Sequence, residues 1–409
     1  MRKKLLNGCL ALSLCASLFL GGCTSAPPAN DGSEEKLAAL EQKLADAEAR
    51  LEELEGELES LDSEVNTLGE AMSESEAKAL GYVVVTDHGV KNDGSEDVSA
   101  AIQKVIDENP NRTIFFPDGV YILAEPILTP ADPTLSVDLR LSNYAILRAS
   151  DDWSHSKGMV RLGGKDPAND VQTPGSGYSL TGGIVDGNRK AMGVTIESGR
   201  ETRVQDLSIK NTTIGMCISK GANSGSSDAD IINVNIVGCG GNGTIGIWIQ
   251  GADNTLTNMR IGNVSIGVKL SSSANMLRNI HPLYIMGSST YANSYGFYDE
   301  KGSNWYDYCY SDQFACGFYI ADGVKSVYSD CYCYWYSAEG GKQVGMRSGG
   351  EFDSYVSHFT VNFRKDSTET AVLEVGKSGG QGVIEYLFAN EDRVKYKAHL
   401  DYLKNPTIN

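Results

Sequence analysis

The chain has 409 residues, 41% of them apolar, with 45 glycines and a formal net charge of −18. That length holds one large or two ordinary domains, and the glycine content suits a turn-rich fold. The acidic balance argues against nucleic acid or an anionic membrane surface as the partner of the folded body.

In chain order, Met1-Arg2-Lys3-Lys4 is a basic leader, Leu5 to Leu20 is an apolar run, and Gly21-Gly22-Cys23 follows at once. This resembles a bacterial lipoprotein signal, which implies lipidation of Cys23 and an extracytoplasmic, lipid-anchored mature chain; the apolar run is short for a membrane span. Residues 23–33 read as a flexible tether. From residue 34 to 80, Leu37, Leu44, Leu51, Leu58, Val65 and Met72 recur every seven residues, with Leu40, Ala47, Leu54, Leu61 and Leu68 on the second seam position. Sustained heptads predict a coiled coil and hence a homo-oligomer, with a trimer favoured. Fifteen acidic and four basic side chains between Glu34 and Leu80 give this stalk −11 of the −18, a solvated surface rather than a binding feature.

The body, 81–409, opens with a strand at Tyr82–Val85 and a helix at Val98–Glu108 whose apolar face carries Val98, Ile102, Val105 and Ile106, with Asp97 placed to cap it. Such a helix ahead of a repeat array covers the open end of its core. Asp87-His88-Gly89-Val90, Asp93-Gly94, Ala101-Ile102-Gln103, Phe116-Pro117-Asp118-Gly119-Val120-Tyr121 and Gly183-Ile184-Val185-Asp186-Gly187-Asn188 follow in order. In these phrases the chain resembles pectate-lyase superfamily proteins related to glycoside hydrolase family 28; His88 and Val90 depart from the usual residues. The resemblance covers about residues 82 to 390. It implies a right-handed parallel β-helix and an association with polysaccharides. The Asn-Thr-Asp, Asp-Asp, Gly-His-Gly and Arg-Ile-Lys set of polygalacturonases is absent; Asp228-Ala229-Asp230 is the nearest approach and reads as a loop feature.

From Met192 to Val394 a glycine followed by alternating apolar residues recurs at Gly193, Gly215, Gly246, Gly267, Gly296, Gly317 and Gly345, and Val372 closes the series. Differences between these positions give steps of 22, 31, 21, 29, 21, 28 and 27 residues. A period of this length built from alternating phrases predicts a solenoid of strands, an all-β fold. Three further columns complete each coil. They begin at Val204, Leu207 and Ile209 and run to Val356, Phe359 and Val361, and residues two apart face the same interior. Cys309, Cys331 and Cys333 fall on inward positions and read as buried thiols, although Cys309 and Cys331 stack closely enough to leave a disulfide open. No ligand set completes Cys331-x-Cys333 as a metal site, and no cofactor is expected.

The residue two after each anchor then points outward: Thr195, Cys217, Trp248, Lys269, Tyr298, Tyr319, Arg347 and Glu374. Trp248, Tyr298 and Tyr319 offer rings to sugars, and Lys269 and Arg347 offer charge to uronate or sulfate, so this stripe is the expected contact with an extracellular polysaccharide. Fifteen of the 34 aromatics lie between Tyr295 and Tyr336, which suits either a glycan surface or a subunit interface. Extra loop length before the anchors, at 238–244, 286–294 and 335–343, is placed to wall a groove. Glu300 and Asp322 are the candidate catalytic pair, expected on the order of 5 to 7 Å apart from strand spacing. An elimination would instead need a base such as Lys269, Tyr298 or His281. The functional expectation is a stalked surface protein that binds a polysaccharide, with cleavage, by hydrolysis or for a uronate by elimination, left open; the alternative is a non-catalytic adhesin or surface-structure protein.

Overall fold

The computed structural model describes residues 33–166, 179–220, 227–336, 341–364, 367, 369–390 and 407–408. The signal, Cys23, the tether up to residue 32 and part of the 335–343 loop lie outside the described residues. Two compact units divide the chain, Met1–Leu68 and Gly69–Asn409.

In the first unit the described residues belong to one helix, Ser33–Ala79, where the heptads predict it. Its seam is bare in the single chain: Leu40, Leu51, Leu58, Leu61 and Val65 are all exposed. Among the described residues no helix is long and apolar enough to cross a membrane. The last turns of this helix belong to the second unit, where Ala77 is buried with Val84 and Phe115.

The second unit is a right-handed parallel β-helix. Each repeat gives one strand to a ten-stranded sheet and two strands, or one long one, to a 21-stranded sheet. The helix Ser99–Glu108 buries Ile102, Val105 and Ile106 at the start of the core. Asp97 Oδ1 accepts the Ser99 amide at 3.0 Å, so the cap is made from just outside the first turn. The Phe-Pro-x-Gly-x-Tyr phrase closes on itself: the buried Tyr121 hydroxyl donates to the Pro117 carbonyl at 2.9 Å.

The inward columns stack as expected. Val204, Ile231, Leu256, Leu277, Tyr306 and Tyr328 pair coil by coil, and all are sealed from solvent. Towards the C-terminal end the filling turns aromatic. Phe297 stacks on Phe318 at 4.7 Å and Tyr306 on Tyr328 at 4.5 Å. Cys309, Cys331 and Cys333 are buried free thiols, so no disulfide joins the first two.

The anchor glycines owe their identity to close approach rather than to unusual dihedrals. A Cβ on Gly193 would stand 2.5 Å from the Gly215 carbonyl oxygen, and one on Gly215 2.6 Å from that of Gly246; the pattern repeats down to Gly345 against Val372. The left-handed backbone is spent elsewhere, at the corner between the two strands of the larger sheet. There Asp206, Asn233, Asn258, Asn279, Tyr308 and Asp330 all have φ between 51 and 56°. Asn and Asp tolerate that region best, and Asn279 Nδ2 donates to Asn258 Oδ1 across the coils at 2.8 Å.

Candidate functional site

The outward stripe exists as one unbroken ladder on the ten-stranded sheet. Arg161, Thr195, Cys217, Trp248, Lys269, Tyr298, Tyr319, Arg347 and Glu374 are Cα partners in succession. Their sequence neighbours Val268, Leu270, Phe297, Phe318 and Ile320 are buried, which fixes the outward direction of the ladder.

Its two ends differ. Thr195 and Cys217 are covered, contrary to the exposure expected of them. Glu197, itself buried, lies over this end and accepts from Arg161 Nε and Nη2 at 2.6 and 2.8 Å, from Lys157 Nζ at 2.8 Å and from Thr195 Oγ1 at 3.1 Å. Burial opposes its charge, but Arg161 and Lys157 outweigh burial and hold the carboxyl below its ordinary value. Burial, with Glu197 adding to it, pushes the Cys217 thiol up to about 12, so it is not a nucleophile.

From Trp248 onward the ladder is half exposed. Lys269 Nζ lies 5.1 Å from the Trp248 ring centre and 5.8 Å from that of Tyr298, a cation between two rings. Tyr298 stacks on Tyr319 at 4.4 Å. Stacking between successive coils points these ring faces along the solenoid axis and at each other. A glycan lying on the stripe would therefore meet ring edges and hydroxyls; on the side away from Tyr298 the next residue of the ladder is Arg347, and the Tyr295 ring packs against Tyr319 at 5.5 Å. Burial, followed by the neighbouring Tyr319 and Glu300, pushes the Tyr298 phenol up to about 12, so at neutral pH it is a hydrogen-bond donor rather than a base.

A pocket of about 400 Å³ opens at this end, lined by Tyr319, Lys342, Arg347, Ser348, Gly349, Glu374, Val375 and Gly376. The column two residues beyond the stripe explains it: Glu197, Ser219, Gln250, Ser271, Glu300, Ala321, Gly349 and Gly376. The backbone hydrogen bonds continue the ladder through these positions, as from Ser271 to Ile249 and from Gly349 to Ile320. Long side chains on this column cover the stripe at one end, and glycines uncover it at the other. A Cβ on Gly349 would come 2.8 Å from the Tyr319 hydroxyl.

Of the two candidate carboxyls, Glu300 turns back one coil, accepting from Ser271 Oγ at 2.6 Å and pairing with Lys269 at 3.1 Å. Ser271 in turn accepts from Trp248 Nε1 at 2.9 Å. Asp322 turns forward to Lys377 at 2.6 Å. The two are engaged in opposite directions along the axis. Arg347 Nε donates to Glu374 at 2.7 Å, and Lys342 pairs with Glu374 at 3.4 Å and with Glu369 at 3.5 Å. Asp228 pairs with Arg200 at 2.8 Å, as a loop carboxylate would. Among the described residues no three His, Cys, Asp or Glu side chains converge as a metal-binding group.

The aromatic concentration divides among three places: the core, the stripe and a second outer face. On the larger sheet His281 stacks on Tyr310 at 4.1 Å and Tyr310 lies 4.8 Å from Tyr332. Asp312 approaches His281 Nε2 at 3.6 Å and accepts from the Tyr310 hydroxyl at 3.2 Å, while His281 Nε2 and Asp312 Oδ1 find no hydrogen-bond partner. This face was legible as the residues just before the inward column Pro282, Ser311 and Cys333, a column read for its core and not for its other side.

Among solved structures, the chain is similar to the surface adhesin PfbA of Streptococcus pneumoniae at 13% identity. That match covers 80% of this chain and 90% of PfbA with a TM-score of 0.51. It is also similar to a variant of the tailspike protein of E. coli bacteriophage HK620 in complex with a pentasaccharide, at 10% identity, 81% and 73% coverage and a TM-score of 0.53. It spans 63% of ORF18 of Geobacillus virus E2, with 84% of this chain covered, 15% identity and a TM-score of 0.49. At these identities the likeness is one of fold. A search by sequence among curated proteins found no match. Matched over residues 82–294, which is 213 of its 409 residues, the chain belongs to the family described as Rhamnogalacturonase A/epimerase, pectate lyase-like.

Proposed function

We propose that this protein binds an extracellular polysaccharide along the outer stripe of its ten-stranded sheet, with the pocket beside Tyr319 as the strongest subsite. The observation that carries the reading is the opening of the ladder into that pocket, whose 400 Å³ lies within the usual range for small-ligand sites, roughly 300–1,000 Å³. Trp248, Lys269, Tyr298, Tyr319 and Arg347 are the contact residues. The bare heptad seam supports assembly through the helix as a homo-oligomer, a trimer by preference. The N-terminal sequence supports lipid attachment at Cys23 and an extracytoplasmic location. A carbohydrate-bound tailspike and a surface adhesin on the same fold are consistent with that setting.

Cleavage rests on Glu300 and Asp322 as the carboxyl pair. A second reading, attachment without cleavage, is favoured by their engagement in opposite directions along the axis. Incubation with a glycan panel, assayed for new reducing ends and for unsaturated uronates, separates the two. Product formation lost in Glu300→Gln and Asp322→Asn supports the enzyme. Binding without any product leaves the adhesin, and equal turnover by both variants removes these residues from the chemistry.

A further inference from the structure

The reading above names a polysaccharide without its charge, and the stripe carries information on that point. Every arginine and lysine on the ladder or lining its pocket already has a carboxylate of this chain: Arg161 with Glu197, Lys269 with Glu300, Arg347 and Lys342 with Glu374. Lys377, beside the pocket, is held by Asp322. These pairs are made within the stripe, so the cations point at their partners and not at an approaching ligand. A uronate or sulfate would gain a contact only by displacing one of these carboxylates, exchanging one ion pair for another while leaving a negative charge beside it. Residues 81–409 carry 37 acidic and 28 basic side chains, a net −9, which adds a long-range penalty for any polyanion. What remains available for recognition brings no unpaired positive charge: tyrosine hydroxyls and ring edges, and the remaining hydrogen-bonding capacity of carboxylates that accept from sugar hydroxyls.

Resting on the proposed binding stripe, we infer that its ligand is a neutral glycan, built of hexoses or deoxyhexoses without carboxylates. Cleavage of such a chain is hydrolytic. β-Elimination removes a proton next to a uronate carboxylate and expels the glycosidic oxygen, and a neutral sugar has neither the acidified proton nor the carboxylate to stabilise the charge left behind.

The test is direct binding of the purified chain to neutral oligosaccharides, to oligogalacturonate and to carboxyl-reduced oligogalacturonate, at low and high salt. The expected result is at least about a tenfold preference for neutral over charged ligands, with little change in salt. Tighter binding of the uronate, weakened by salt, overturns the inference. No binding to any glycan overturns the parent reading and this one with it, a distinguishable result. Glu374→Gln releases Arg347 towards the pocket, while Lys342 keeps Glu369, and is expected to raise uronate affinity roughly tenfold. Glu300→Gln provides the same test at Lys269, should the first variant fail to fold. No gain in either folded variant shows that the native pairs are not what excludes acidic sugars, and overturns the argument.

Discussion

Thr195 and Cys217 stand on the same ladder as Tyr319 and Arg347, yet the first two are covered and the last two line an open pocket. Strand register gives all four the same direction. What separates them is the adjacent column, which supplies Glu197 at one end and Gly349 and Gly376 at the other. In a solenoid, then, one column sets where side chains point, and the next decides whether solvent or ligand reaches them. The closed end is where ion pairs are buried, and the open end is where binding is proposed.

That division is broken most readily at Glu197. Glu197→Ala removes the buried carboxylate shared by the partly buried Arg161 and the exposed Lys157, and is expected to cost about 2–3 kcal/mol, read from denaturant unfolding. At the open end Arg347→Ala leaves the partly buried Glu374 still paired with Lys342, so its cost is expected to be smaller, about 1–2 kcal/mol. Equal costs at the two sites would erase the distinction between closed and open ends.

A smaller effect is expected on binding. Tyr319→Ala removes the ring edge and hydroxyl that line the pocket and is expected to weaken glycan affinity about tenfold, a loss of about 1.4 kcal/mol. Gly349→Ala pushes a methyl group against the Tyr319 hydroxyl and is expected to act in the same direction more weakly. Cys217→Ser, on the covered part of the same ladder, is expected to leave affinity unchanged in the same titration. A binding loss there equal to that of Tyr319→Ala would show that the ladder acts as a whole rather than through its open end.

Most of the fold was written in the sequence, because a stacked coil repeats its constraints. The glycine anchors are required wherever a Cβ would strike the next carbonyl oxygen, as at Gly193 against Gly215. The inward columns keep one apolar position per coil from Val204 to Tyr328. The site was less legible for reasons equally physical. Alternation gives direction but not exposure, so the outward direction of Thr195 and Cys217 does not reveal that Glu197 meets the first and Gln250 the second. Aromatic content gives no face, so Tyr310 and Tyr332 on the larger sheet were not distinguished from Tyr298 and Tyr319 on the smaller. The directions of Glu300 towards Lys269 and of Asp322 towards Lys377 depend on rotamers and partners, which spacing along the chain does not encode.

The mildest test of the closed end uses pH. Arg161 and Lys157 hold the Glu197 carboxyl below its ordinary value of 4.5 against the opposing effect of burial. A group depressed in the folded state contributes stability that is fully present above the unfolded value, and loses it as pH falls through the folded one. Wild-type stability is therefore expected to begin falling near pH 4.5 and to continue down to the folded value. In Glu197→Gln that component is absent, so the stability gap between wild type and variant is expected to narrow across the same window. Unfolding midpoints measured for both proteins from neutral pH down to that range report the gap. A gap that stays constant through it would mean that the four donors around Glu197 bind its protonated and ionised forms equally, and the closed end would then owe its stability to packing rather than to charge.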